Sequence, residues 1–200
     1  MLAVVLARKN MREFDQTVSL YTRDVGKLEV LAKGIKKIVS KNSANLQTLS
    51  VVDVEIIQGK DIDYLGRVQP VRMFTGIYGD LDKIYLAQYI ASLVDAHILA
   101  GEKDEAIFSL LIEFFDFLNT CEFINSHHLV TAFIFKLWHR LGFVDVDSEA
   151  SEWVEANWSA INKSTVSQTE VMQVYEKACR FAEFHAGVKL AKFMEHDRIL

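Results

Sequence analysis

The chain has 200 residues, half of them hydrophobic, with 24% charged and 11% aromatic; this composition excludes disorder and suits one large domain or two small ones. Its net charge of −5 argues against a polyanionic partner only until the chain is divided. Residues 1–72 hold twelve Lys+Arg against eight Asp+Glu, whereas residues 73–200 hold ten against nineteen.

The first strand is predicted over Met1–Ala7, an apolar run too short to span a bilayer, which takes roughly 20 residues. It has no basic stretch before it and no small-residue cleavage site after it, so no secretory signal is expected, and the cytoplasm is the expected location. Val18–Thr22 is short and β-rich. Over Lys27–Lys33, Leu28, Val30 and Ala32 alternate with charged neighbours, as Val52, Val54 and Ile56 do with Asp53 and Glu55. Tyr64–Met73 is a weaker fifth strand, confined by Pro70 to an edge or a strand end. Asp24-Val25-Gly26 has hairpin length, with Gly26 as the permissive turn residue. The polar stretch Gly34–Ser50 is long for a loop in a small barrel, and such loops are more often functional than idle.

After Met73 the apolar period changes from two to between three and four. Asp80 is placed to cap a helix carrying Leu81, Ile84, Tyr85, Ala87, Ile90, Leu93 and Val94, and Asp104 a second running to about Cys121. Ser126 is expected to cap a third helix that Gly142 terminates. One short helix near Trp153 and Trp158 and a fourth long one over Ser167–Ala186, closed by Gly187, complete the pattern. The first three long helices are apolar over wide faces and are expected to pack on one another. Strands followed by helices, without alternation, point to an α+β chain: a five-stranded OB-fold β-barrel, then an all-α domain, with the boundary at residues 75/76.

Catalytic signatures are missing. The sequence has no glycine-rich phosphate loop, no dinucleotide fingerprint and no Gly-x-Ser-x-Gly elbow. His127 and His128 are adjacent, so on a helix they diverge by about 100° and cannot share a metal. His139, His185 and His196 have no carboxylate at ligand spacing, and Cys121 and Cys179 are read as buried free thiols rather than a disulfide. No catalytic site, cofactor or metal is expected. The basic residues are more informative. From Arg8 to Lys41, nine cations face four acids. Arg8, Lys9 and Arg12 follow the first strand, Arg23 follows the second, and Lys33, Lys36, Lys37 and Lys41 end the third and line the long loop. Cations leaving a small barrel at its strand ends suit a single-strand groove that follows phosphates, with Phe14 as an exposed aromatic candidate.

The run Phe14–Leu28, with its Thr22-Arg23-Asp24-Val25-Gly26-Lys27 turn, followed by Ala32-Lys33-Gly34, resembles the start of the RecO family of recombination and repair mediators. Leu141-Gly142-Phe143 and Phe184-His185-Ala186-Gly187 resemble helix ends of that family's second domain. The resemblance implies a mediator that binds single-stranded DNA, anneals complementary strands and, with RecR, helps load recombinase onto SSB-coated DNA. It also implies contact with the acidic SSB tail, for which Lys136 and Arg140, one helical turn apart, are the candidates. Many family members carry a four-cysteine zinc module after the Leu-Gly-Phe segment; here Asp145–Glu155 is acidic and has no cysteine, so zinc is not expected. The alternative is an adaptor that binds only proteins, its basic loop docking an acidic peptide.

Overall fold

Small and β-branched residues at alternate positions line the interior of a closed barrel in the computed structural model, which describes residues 1–37, 40, 42–144, 150–186 and 193. Its strands are β1 (Leu2–Asn10), β2 (Gln16–Thr22), β3 (Gly26–Ala32), β4 (Val51–Ile57) and β5 (Tyr64–Arg72). They close in the order β1-β2-β3-β5-β4. Every pairing is antiparallel except β3 with β5, which meet at Leu31 and Tyr64. This is an OB-fold, and a strand stands at each of the five segments where one is expected. β1 runs three residues past Ala7 because its pairing with β2 continues to Asn10 opposite Gln16.

Ala3, Val5, Val18, Leu20, Val30, Ala32, Val52, Val54 and Val68 face inward and are buried. A bulge at Leu6 shifts the β1 register, so that Arg8 lies opposite the inward-facing Val18. Pro70 sits within β5 beside a second irregularity, between Val51 and Val52 of β4. β5 reaches β3 only at Tyr64, so Pro70 has a strand neighbour on one side, the setting its missing N–H requires. The stretch after β3 is less of a free loop than its polarity suggests. Ile35, Leu46 and Leu49 are buried, and Asn42 Nδ2 donates to the Gly66 carbonyl at 2.7 Å.

The helices are α1 (Thr75–Tyr78), α2 (Leu81–His97), α3 (Glu105–Thr120), α4 (Ser126–Arg140), α5 (Ser151–Glu155), α6 (Trp158–Asn162) and α7 (Gln168–Ala186). Asp80 Oδ1 caps α2 by accepting from the N–H groups of Asp82 and Lys83, and Asp104 Oδ1 accepts from Ala106 N–H at 2.7 Å at the start of α3. Ser126 does not cap α4. It is the first helical residue, and Asn125 precedes it without a side-chain cap, its own N–H donating to Asn162 Oδ1 at 2.6 Å. Gly142 does terminate α4, with φ +76°, N–H bonds from Gly142 to His139 and from Phe143 to Trp138, and Phe143 packed on Trp138. Two short helices, α5 and α6, stand where one was expected. Gly187 lies outside the described residues.

Packing divides the chain into two compact units, Met1–Thr120 and Cys121–Leu200. In the first, α2 packs on β1 and on α3. In the second, α4 is buried on nearly every side and packs against α5, α6 and α7, with the Phe133 and Trp158 rings stacked at 6.2 Å. Three consecutive helices in one bundle is therefore not the division observed: α2 and α3 fall in the same unit as the barrel, and α2 packs directly on its first strand. Cys121 and Cys179 are half-buried rather than buried.

Candidate nucleic-acid interface

One end of the barrel gathers three connections. The pairs Asn10–Gln16 and Gln16–Ala32 bring the β1–β2 loop beside the end of β3. Leu31 N–H donates to the Asp63 carbonyl at 2.9 Å, which brings the β4–β5 loop to the same end. The β1–β2 loop closes on itself, with the N–H groups of Met11 and Arg12 directed to the Asp15 carbonyl at 3.1 and 3.3 Å. It is then tied to the segment after β3 by two bonds. Asp15 Oδ1 accepts from Gly34 N–H at 2.7 Å, and the Phe14 carbonyl accepts from Lys36 N–H at 3.1 Å. Gly34 makes this possible by adopting φ +65°, a left-handed conformation that disfavours side chains.

Arg12, Lys33, Lys36 and Lys37 are all exposed on these two tethered segments. The Lys37 ammonium lies 5.7 Å from the centre of the Phe14 ring. Lys60, in the β4–β5 loop beside Asp61, adds an exposed cation at the same end. Four of the sequence-predicted cations thus share one rim.

The others are placed differently. Arg8 points to the barrel mouth: its Nε and Nη2 donate to Gln16 Oε1 at 3.0 and 2.7 Å, and its Nη1 to the Leu46 carbonyl. Burial pulls its guanidinium below its usual pKa, although an arginine remains a cation at neutral pH. Its donors hold the long connection against the barrel. Lys9 is exposed on the outer face, 3.9 Å from Asp95 of α2. Arg23 follows β2 at the opposite end of the barrel, about 20 Å from Gln16 along the strand, and lies 3.7 Å from Asp24. Lys41 lies outside the described residues.

Asp95 is the residue that sequence reasoning missed. It reaches the outer face of β1–β3, where its Oδ1 accepts from Ser19 Oγ at 2.5 Å and lies 3.1 Å from Lys27 Nζ. Lys27 Nζ also donates to the Asp95 carbonyl. Around this cluster lies a cavity of about 250 Å³, lined by Lys9, Thr17, Glu29 and Ser92 among others. Helix α2 therefore lies over part of the sheet face that OB-folds use for oligonucleotides, leaving the loop end open. Only the position of Asp95 directly after the apolar Leu93-Val94 pair hinted that its carboxylate would point inward.

In the second unit, Lys136 is not a surface cation. It is buried, and its ammonium donates to the carbonyls of Val154 and Ala156 at 2.5 and 2.8 Å, with the Trp158 ring 5.2 Å away. The end of α5 leaves carbonyls without helical partners, and Lys136 supplies the donors. That role replaces the docking contact expected of it. Arg140 is half-buried at the end of the same helix. Among the described residues, no group of three His, Cys, Asp or Glu could hold a metal ion. Residues 145–149, the His185 side chain and His196 lie outside the described set. No helix among the described residues is long and apolar enough to cross a membrane.

A closed barrel in this strand order, with cations on its loop end and helices following in the chain, defines an OB-fold module joined to a helical segment. Residues 1–74 match the family model for the recombination protein O N terminal region, and residues 78–192 that for the recombination protein O C terminal region. The chain belongs to the RecO family. It is 30% identical over 141 residues to the DNA repair protein RecO of Desulforamulus reducens, covering 70% of this chain and 53% of that one. It is 28% identical over 144 residues to the protein of the same name from Pelotomaculum thermopropionicum, covering 72% and 55%. With that of Desulfitobacterium hafniense it shares 28% over 120 residues, covering 60% and 44%. The chain spans about half the length of the relatives it matches.

Proposed function

We propose that this chain is a non-enzymatic recombination and repair mediator that binds single-stranded DNA along the loop end of its barrel and anneals complementary strands. The supporting observation is the convergence of exposed Arg12, Lys33, Lys36 and Lys37 on two segments tethered by the Asp15–Gly34 and Phe14–Lys36 bonds. Fixed cations of this kind lower phosphate repulsion between two strands and read no hydrogen-bonding edge, so bases stay available for pairing. In this reading residues 1–75 hold the strand and residues 76–200 meet protein partners. The family supports RecR and the acidic tail of SSB as those partners, recombinase loading as the outcome and the cytoplasm as the place.

A filter-binding salt titration of the full chain with single-stranded DNA tests the proposal. Four phosphate contacts give a slope of log affinity against log salt of about −3, at roughly −0.7 per contact. A flat response, or no binding at low salt, overturns it. Binding of an SSB tail peptide without affinity for DNA would favour the adaptor instead.

A further inference from the structure

We propose that Phe14 is a stacking platform for a base of the bound single strand; this rests on the reading of the loop end as a polyanion surface. The Phe14 ring is 42% exposed on its loop, and its setting is specific. The residue is held from behind. Its carbonyl accepts from Lys36 N–H, and the next residue, Asp15, binds the N–H groups of Met11, Arg12 and Gly34 through its carbonyl and Oδ1. The ring therefore stands on a short loop whose backbone is fixed by four bonds, and a base meeting it finds a platform already ordered.

Charge is arranged around the ring. The Lys37 side chain folds across Gly34, within 3.5 Å of where a Cβ there would sit, and brings its ammonium over one face of the ring, 5.7 Å from its centre, so a base would meet the other face. Arg12, Lys33 and Lys36 are exposed on the segments that the tether joins. An aromatic face beside several cations is the combination that single-strand grooves use, one group for the base and the others for the flanking phosphates. Stacking of this kind is tolerant of sequence because every base presents a π-face, so it adds affinity without adding a reading of sequence.

The full chain is compared with Phe14→Ala, Phe14→Leu and Phe14→Trp variants on two probes: oligo(dT), and an abasic strand of equal length that offers phosphates without bases. Phe14→Ala is expected to weaken oligo(dT) binding about tenfold and to leave abasic binding unchanged. Phe14→Leu, which restores apolar bulk without a π-face, should weaken it similarly. Phe14→Trp should bind oligo(dT) at least as well as the unaltered chain, with its fluorescence quenched by oligo(dT) and not by the abasic strand. Equal losses on both probes would mean that Phe14 only shapes the loop, and would overturn the stacking role. Unchanged oligo(dT) binding by Phe14→Ala would overturn it too, leaving the polyanion surface intact. Failure of the unaltered chain to bind either probe at low salt would overturn both together.

Discussion

The Lys27 ammonium lies 3.1 Å from Asp95 Oδ1 and also donates to the Asp95 backbone carbonyl, joining strand β3 to the last turn of α2 across 68 residues. The two side chains are 18% and 16% exposed, and Ser19 Oγ donates to the same carboxylate at 2.5 Å. Removing the carboxylate would leave a largely buried ammonium and hydroxyl without it. Asp95→Ala is therefore expected to destabilise the chain by about 3 kcal/mol, read from the urea midpoint. A double variant, Lys27→Met with Asp95→Leu, should recover much of that loss, because it leaves no charge stranded.

Glycine positions at the two ends of β3 separate backbone strain from steric clash. Gly26 has φ +76°, and a Cβ there would lie 2.1 Å from the Glu102 carbonyl oxygen. Gly34 has φ +65°, but a Cβ would touch only the Lys37 side chain, at 3.5 Å. Gly34→Ala should cost about 1–2 kcal/mol, the penalty of the left-handed region alone. Gly26→Ala should cost distinctly more, since the α2–α3 connection must also move. Thermal denaturation of the two variants would show the order, and equal midpoints would contradict it.

The position of Arg23 offers an internal control for the rim. Lys36→Glu with Lys37→Glu should flatten the salt dependence of single-strand binding by about 1.4 units of slope, at roughly 0.7 per lost contact. Arg23→Glu, at the far end of the barrel, makes the same type of change and should leave the slope as it was. Similar effects from both would mean that net charge, rather than the rim, governs binding.

Tyr21 makes stability fall in alkali. Its ring is fully buried and its hydroxyl donates to the Asp104 carbonyl at 3.1 Å. Burial is the largest cause, with the Asp104 and Glu102 carboxylates adding to it, of a phenol pKa pushed up from 10.0 to about 12. The unfolded chain releases this proton first, so the native state is favoured in full below pH 10 and loses that advantage as pH rises towards 12. The loss amounts to about 3 kcal/mol at 1.36 kcal/mol per pH unit. Urea midpoints at pH 9 and pH 11 should fall less for Tyr21→Phe than for the unaltered chain. Equal falls would show that other groups account for the alkaline loss.

Much of this molecule is written locally. Apolar and β-rich runs, two of them alternating, locate the five strands, Gly26 marks the hairpin, Asp80 and Asp104 mark two helix starts, and Gly142 marks a helix end; each depends on φ/ψ preference or on hydrogen bonds within a few residues. The basic stretch from Arg8 to Lys41 and its link to the RecO family are equally legible in order and type of residue. Which of those cations face one another was settled by long-range pairing. The bulge at Leu6 turned Arg8 inward to Gln16, the strand direction carried Arg23 to the far end, and Asp95 drew Lys27 and the neighbourhood of Lys9 towards α2. Lys136 was taken up by carbonyls 18 and 20 residues away. A sequence states a side chain's charge and its place in a local period; the partner that charge meets depends on closing the barrel and packing helices on it, and no window of neighbouring residues contains that information.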